Sequence, residues 1–226
     1  MPKSNYGGKR WSYKILTRFN AISPLRKIVD VGPGVGTYAQ FRQPQQEWIG
    51  IEAWGPYVEK YELEVKYDKI IVSDIRYLNW SKVAPCDVCI FGDILEHVSY
   101  EEALETVDIA LNNSRLVLIS LPLIYSAQGV LENNPFEIHV KQDWTNAQAL
   151  EAFPDWCVYI LESYIGVYIL TRNPEDKALL ADIVSVLNEQ LKQNPELDHS
   201  TFKIVPRSDD PNAEYDPVNL TGQFTQ

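Results

Sequence analysis

Apolar positions along this chain fall into short continuous runs at 27–31, 48–51, 69–73, 88–91, 116–121, 157–161 and 167–171. Runs of that length suit strands buried on both faces of a sheet. The intervals between them carry helix signals. Thr37 to Gln43 predicts a helix stopped by Pro44, and Pro56 to Glu64 predicts another with proline in its first turn. Ser99 and Glu102 form a capping box, followed by Leu104, Val107 and Leu111 at helical spacing. Thr145 and Gln148 form a second box, opening a helix to Phe153. Asn173, Pro174, Glu175 and Asp176 supply a cap, a proline and acids for a longer helix, with Leu179, Ile183, Leu187 and Leu191 on one face. The last two apolar runs are too close for a parallel crossover and must form an antiparallel hairpin. The pattern predicts an α/β chain with a doubly wound, mostly parallel sheet and one reversed strand.

The first run ends in KIVDVGPGVG, residues 27–36. Asp30 stands near the strand end, and Gly32, Gly34 and Gly36 follow at alternate positions. Glycines in such a turn let backbone approach a ligand that a side chain would block. The second run ends at Glu52, and a carboxylate at that point can grip both hydroxyls of a ribose. The implied ligand contains a nucleoside. The dinucleotide fingerprint G-x-G-x-x-G is absent, because the spacing here is G-P-G-V-G.

Asp30 before alternating glycines, Glu52, Asp74 in IVSDI and the stretch CDVCIFGDILEHV (86–98) together resemble the motifs of class I S-adenosylmethionine (SAM) methyltransferases. The resemblance runs from about residue 27 to 172 and implies a Rossmann-like, seven-stranded sheet. It assigns cofactor contacts to Asp30, Gly32, Gly34, Gly36, Glu52, Ala53, Asp74, Ile75 and Asp93, with Glu52 at the ribose and Asp74 by the adenine. SAM is then the implied cofactor and S-adenosylhomocysteine (SAH) its product.

Candidate chemistry gathers after the fourth run. Asp93, Glu96 and His97 are spaced to share one side of a helical turn, and His139 follows the fifth run. Open α/β sheets place ligands at that edge. Glu96, His97 and His139 are the candidate catalytic residues. An imidazole there could take the acceptor's proton or orient substrate. The set Asp93, Glu96, His97 and His139 could instead hold a divalent cation. D-x-x-E-H followed by H resembles the E-x-x-E-H…H metal pattern of two family branches, which methylate small-RNA 3′ ends or catechol-like rings. Asp93 in place of the first Glu has a shorter reach. The third reading makes both histidines structural.

Composition narrows the function further. The 226 residues carry a net charge of −11, yet the first 29 hold seven basic residues and no acid. The acidic remainder repels a phosphate backbone, so nucleic acid is not the expected partner. The arm, residues 1–26, is expected to be a basic helix packing its aromatics on the domain, with its charges in water, or acting as a lid. Residues 173–193 form the predicted C-terminal helix, and 194–226 read as an irregular polar tail containing a solvated His199. Cys86, Cys89 and Cys157 lie in apolar runs and read as buried thiols. No apolar run reaches membrane-spanning length, and no leader-like segment opens the chain, which makes the cytosol the expected compartment. The sequence therefore predicts methyl transfer to a small or medium-sized acceptor, sugar- or phenol-like, at oxygen. The rivals are an RNA 2′-O-methyltransferase with a metal site, a SAM-binding protein without catalysis, and an NAD-dependent oxidoreductase.

Overall fold

The computed structural model describes residues 7–194 and 196–208. The first six residues of the arm, with Lys3 and Tyr6, and the tail from 209 to 226 lie outside the described residues. Helix α1 spans Lys9–Ile22 and precedes β1 (Lys27–Val31), β2 (Glu47–Glu52), α2 (Pro56–Lys60), α3 (Leu63–Lys66), β3 (Lys69–Val72) and β4 (Cys86–Gly92). Then come α4 (Tyr100–Asn113), β5 (Ser114–Pro122), α5 (Asn146–Ala152), β6 (Trp156–Glu162), β7 (Ile165–Leu170), α6 (Pro174–Lys192) and β8 (Phe202–Pro206).

The strands form one sheet in the order β3-β2-β1-β4-β5-β7-β6-β8. Pairing is parallel from β3 to β5 and antiparallel from β5 to β8. The sheet thus has eight strands, not seven, and two of them, β7 and β8, run against the rest. The extra strand lies in the stretch read as irregular tail. Phe202 and Ile204 are buried on alternate positions, with Lys203 between them only partly covered, so the period-2 pattern of an edge strand is present. Phe202 stacks on Trp11 at 4.6 Å between ring centroids, and Asn188 Nδ2 donates to Ile204 O at 3.0 Å.

Two other expectations change in detail. The helix predicted for 37–43 shortens to one 3₁₀ turn at Ala39–Phe41, because Gly36 and Pro44 leave too few residues to propagate a helix. The helix predicted for 56–64 splits at Glu62, whose φ is 52°. Both capping boxes form as expected, at Ser99/Glu102 and Thr145/Gln148.

Helices cover both sheet faces. Ala103, Val107 and Ala110 of α4 and Ala149 of α5 pack with Val29, Phe91 and Val117 on one side. Trp11, Ile15 and Phe19 of α1 and Leu180, Ile183, Val184 and Leu187 of α6 pack with Ile28, Ile90 and Leu118 on the other. All three cysteines are buried free thiols. No helix among the described residues is long and apolar enough to cross a membrane.

Arg115 ties three elements of the second layer together. Its Nε donates to Asp176 Oδ2 of α6 at 2.7 Å, its Nη2 donates to Ser23 Oγ beyond α1 at 2.7 Å, and its guanidinium lies over the Phe19 ring. Asp176 is almost fully buried, so losing its partner strands a charge. Arg115→Met is expected to lower stability by about 1–3 kcal/mol, read as a reduced urea midpoint. An unchanged midpoint would show that water replaces the guanidinium at no cost.

Candidate active site

The parallel half of the sheet ends in a cleft of about 400 Å³ at its carboxyl edge. The turn after β1 forms one wall. Gly32, Gly34 and Gly36 all have left-handed φ, at 61°, 52° and 79°. A side chain at Gly32 would also collide with Ile94, since a Cβ there lies 2.0 Å from Ile94 Cδ1. Gly32 and Gly34 line the cleft, whereas Gly36 does not. Gly36 supports the turn from behind, with its N–H donating to Pro33 O at 2.7 Å.

The predicted carboxyls all reach this cleft, but in different states. Asp30 is buried and accepts from Tyr67 Oη at 2.5 Å. Burial pushes its pKa from the ordinary 3.8 to about 7, against the pull of Tyr67 and Lys9. Glu52 closes β2 with Oε1 accepting from Trp54 N at 2.8 Å, and burial lifts its pKa to about 7 as well. Ala53 and Ile75 line the same end of the cleft. Asp74 feels burial too, but its hydrogen bonds to Arg76 win and hold it below the usual carboxylate range. Arg76 bridges on to Glu102 at 2.9 Å, so Asp74 is a committed partner of that guanidinium.

The candidate chemical groups separate into two sets. Glu96, His97 and His139 come together, each offering a ligand atom within 4.8 Å of the others. Asp93 stands apart, because Lys9 Nζ donates to its Oδ2 at 3.0 Å and Ser120 Oγ donates to its Oδ1. The four-residue cation set expected from sequence is therefore a three-residue cluster, and the short Asp93 side chain belongs to a lysine instead. The imidazoles meet edge to face at 4.8 Å between centroids. His97 Nδ1 faces Ile138 O at 3.2 Å, and His139 Nδ1 faces Ser126 O at 2.7 Å. A carbonyl only accepts, so each Nδ1 carries a proton, and in a neutral ring that leaves the lone pair on Nε2. Burial, then the neighbouring His139, lowers His97 to about 4, so it is neutral at pH 7. Glu96 is buried, and among the described residues its Oε2 has no hydrogen-bond partner. Burial first, then the Asp93 charge, raise its pKa well above normal, which keeps it a neutral acid.

Three contributors escaped the sequence reading. Lys9 was expected among solvated charges, yet its side chain is fully buried beside Asp93. Ser120 lies inside a strand run and gave no signal. Glu137 lines the cleft near Glu52, and burial raises its pKa. Its place two residues before His139, on the connection that follows β5, was the available clue.

The strand order, the glycine turn and the acidic ends of β1, β2 and β3 are those of one known architecture. The chain has the class I methyltransferase fold. Solved structures carry this conclusion. The methyltransferase domain of a bacterial Hen1 matches at a TM-score of 0.53 and 14% identity, over 72% of this chain and 98% of that one. Magnesium protoporphyrin IX methyltransferase from Synechocystis, solved with bound SAM, matches at 0.51 and 13%, over 74% and 80%. The N-terminal domain of EvdMO1 with SAH bound matches at 0.50 and 16%, over 70% and 78%. No protein-family model matches the chain, and no curated protein matches it in sequence.

The raised carboxyls give stability a pH dependence with a definite sign. A group with a higher pKa folded than unfolded stabilises fully below its unfolded value and stops doing so above its folded value. For Asp30 that loss runs from about pH 4 to above pH 7. Asn at this position can still accept from Tyr67 and does not ionise. The urea midpoint of Asp30→Asn relative to that of the parent is expected to rise from pH 5 to pH 8.5. A constant gap across that range would contradict the assigned burial.

Proposed function

We propose that this chain is a SAM-dependent methyltransferase that acts on a hydroxyl of a small or medium-sized acceptor. The observation that carries the reading is the convergence of the glycine turn, Glu52 and the His97–His139 pair on one cleft. Gly32 and Gly34 leave backbone open to a ligand, and Glu52 presents the carboxylate suited to ribose hydroxyls. Ala53 and Ile75 line the side where an adenine belongs, with Asp74 and Arg76 shaping that wall. SAM supplies an electrophilic methyl group on a sulfonium. The protein's share is then to hold the acceptor in line and receive its proton.

The histidine pair suits that share. Each ring is fixed through Nδ1, so a free Nε2 can accept the hydroxyl proton as the oxygen–carbon bond forms and the sulfur–carbon bond breaks. The neutral Glu96 can donate a hydrogen bond to the acceptor and so orient it. An acceptor of modest size and no large negative charge fits the −11 chain best. Among the structural neighbours, EvdMO1 was crystallised with SAH and D-fucose, while HEN1 is a small RNA methyltransferase. Charge favours the sugar- or phenol-like class here. A second reading rests on the three-residue cluster, which has the donor types for a divalent cation.

The test is methyl transfer from labelled SAM to a panel of sugars, phenols and small RNAs. His97→Ala and His139→Ala should each cut turnover about 10²–10⁴-fold while sparing SAM affinity. Insensitivity to chelator assigns the pair as a base. Loss on chelation with recovery on Mg²⁺, Mn²⁺ or Zn²⁺ assigns the cation. Full turnover in both variants would return the histidines to a structural role.

A further inference from the structure

Helix α1 begins at the same sheet edge as the cleft. Gly8 N donates to Glu162 Oε2 at the end of β6 at 2.7 Å, and the Arg10 guanidinium pairs with the other oxygen. The approach is tight. A Cβ at Gly7 would lie 2.8 Å from Glu162 O, and one at Gly8, whose φ is 72°, would lie 2.7 Å from Val167 Cγ2. Two glycines therefore let the chain pass against β6 and β7 just before Lys9.

From there Lys9 turns inward. Its side chain has no exposed surface, and its ammonium sits 3.0 Å from Asp93 Oδ2 and over the Tyr38 ring. Asp93 is a left-handed residue, φ 58°, although it carries a side chain. That region is uncommon for a residue with a side chain, although Asp tolerates it better than most, and contacts can fix it there. Three contacts do so: Asp93 N donates to Ser120 O at 3.0 Å, Ser120 Oγ holds one carboxylate oxygen, and Lys9 holds the other. The next turn of chain carries Glu96 and His97 into the cleft.

We propose that Lys9 is a positioning residue: its ammonium, delivered by α1, pins the left-handed turn at Asp93 and so sets the placement of Glu96 and His97. On this account α1 is a fixed support behind the site and not a lid that lifts with each turnover. Lys9 does not line the cleft, so it acts through Asp93 and not on the ligand. The proposal rests on the reading of the histidine pair as the acceptor-activating group, but its structural half can be tested without any acceptor.

The full chain contains three histidines, so imidazole resonances can be followed individually at one pH. Lys9→Met, close in length and uncharged, is expected to displace the His97 and His139 signals and leave His199 in place. SAM affinity should stay within about twofold, while turnover on a true acceptor falls about tenfold or more, as a small misplacement of reacting groups costs. Gly8→Val should reproduce the displacement with Lys9 intact. Should Lys9→Met fail to fold, Lys9→Met/Asp93→Asn leaves no unpaired charge buried and is read through the histidine signals alone. Parent-like histidine signals with a lowered melting temperature would reduce Lys9 to a structural ion pair and overturn the proposal. If wild-type protein methylates nothing in the panel yet the histidine signals move, the reaction fails and the positioning claim stands.

Discussion

Six carboxyl groups, on Asp30, Glu52, Asp74, Asp93, Glu96 and Glu137, line one cleft, and that concentration of like charge governs the rest of the site. Burying one unpaired carboxylate is costly, and burying several together is costlier still. The fold answers in two ways. Asp93 is given a lysine, the fully buried Lys9, and Asp74 an arginine, Arg76. Asp30, Glu52, Glu96 and Glu137 form no ion pair among the described residues and respond by holding their protons more tightly. A cleft built this way carries less negative charge at neutral pH than its carboxyl count implies, although the chain as a whole is strongly acidic. Such an interior suits a cationic or neutral ligand better than a polyanion, and a sulfonium cofactor is cationic.

The sheet makes the convergence geometrically cheap. Parallel strands β1 to β5 all present their carboxyl ends to one edge, so residues distant in sequence arrive together without long side chains. The loop after β5 completes the arrangement. Its carbonyls at Ser126 and Ile138 fix the two imidazoles, and Val140 N and Lys141 N donate to Glu96 O. One loop thus orients both histidines and anchors the turn that bears one of them.

Much of this was legible in the sequence because the signals are local. Capping boxes, apolar runs and a glycine turn depend on a few neighbouring residues, so the helices at Ser99 and Thr145 and the turn after β1 could be placed before any coordinates. The convergence of Glu96, His97 and His139 on one edge was also readable, since strand order implies it. What stayed hidden depends on distant partners. β8 exists because β6 offers an open edge to Phe202 and Ile204, a pairing across about forty residues that the surrounding Asp, Asn and Pro disguised. Lys9 looked like one charge of a basic arm, and only the tight glycine approach to β6 and β7 carries it inside. The left-handed Asp93 has only a weak sequence marker, the tolerance of Asp for that region, and contacts from α1 and β5 hold it there.

The central claim is that the carboxyl-edge cleft is a SAM site in which Glu52 holds the ribose. Isothermal titration of SAH and of NAD into wild-type and Glu52→Ala protein tests it most directly. Wild-type protein should bind SAH and not NAD. The Glu52→Ala variant should lose about tenfold or more in SAH affinity, as expected for a charge-assisted hydrogen bond worth roughly 1.5–3 kcal/mol. Binding of NAD in place of SAH, or an SAH dissociation constant unchanged by Glu52→Ala, would contradict the account.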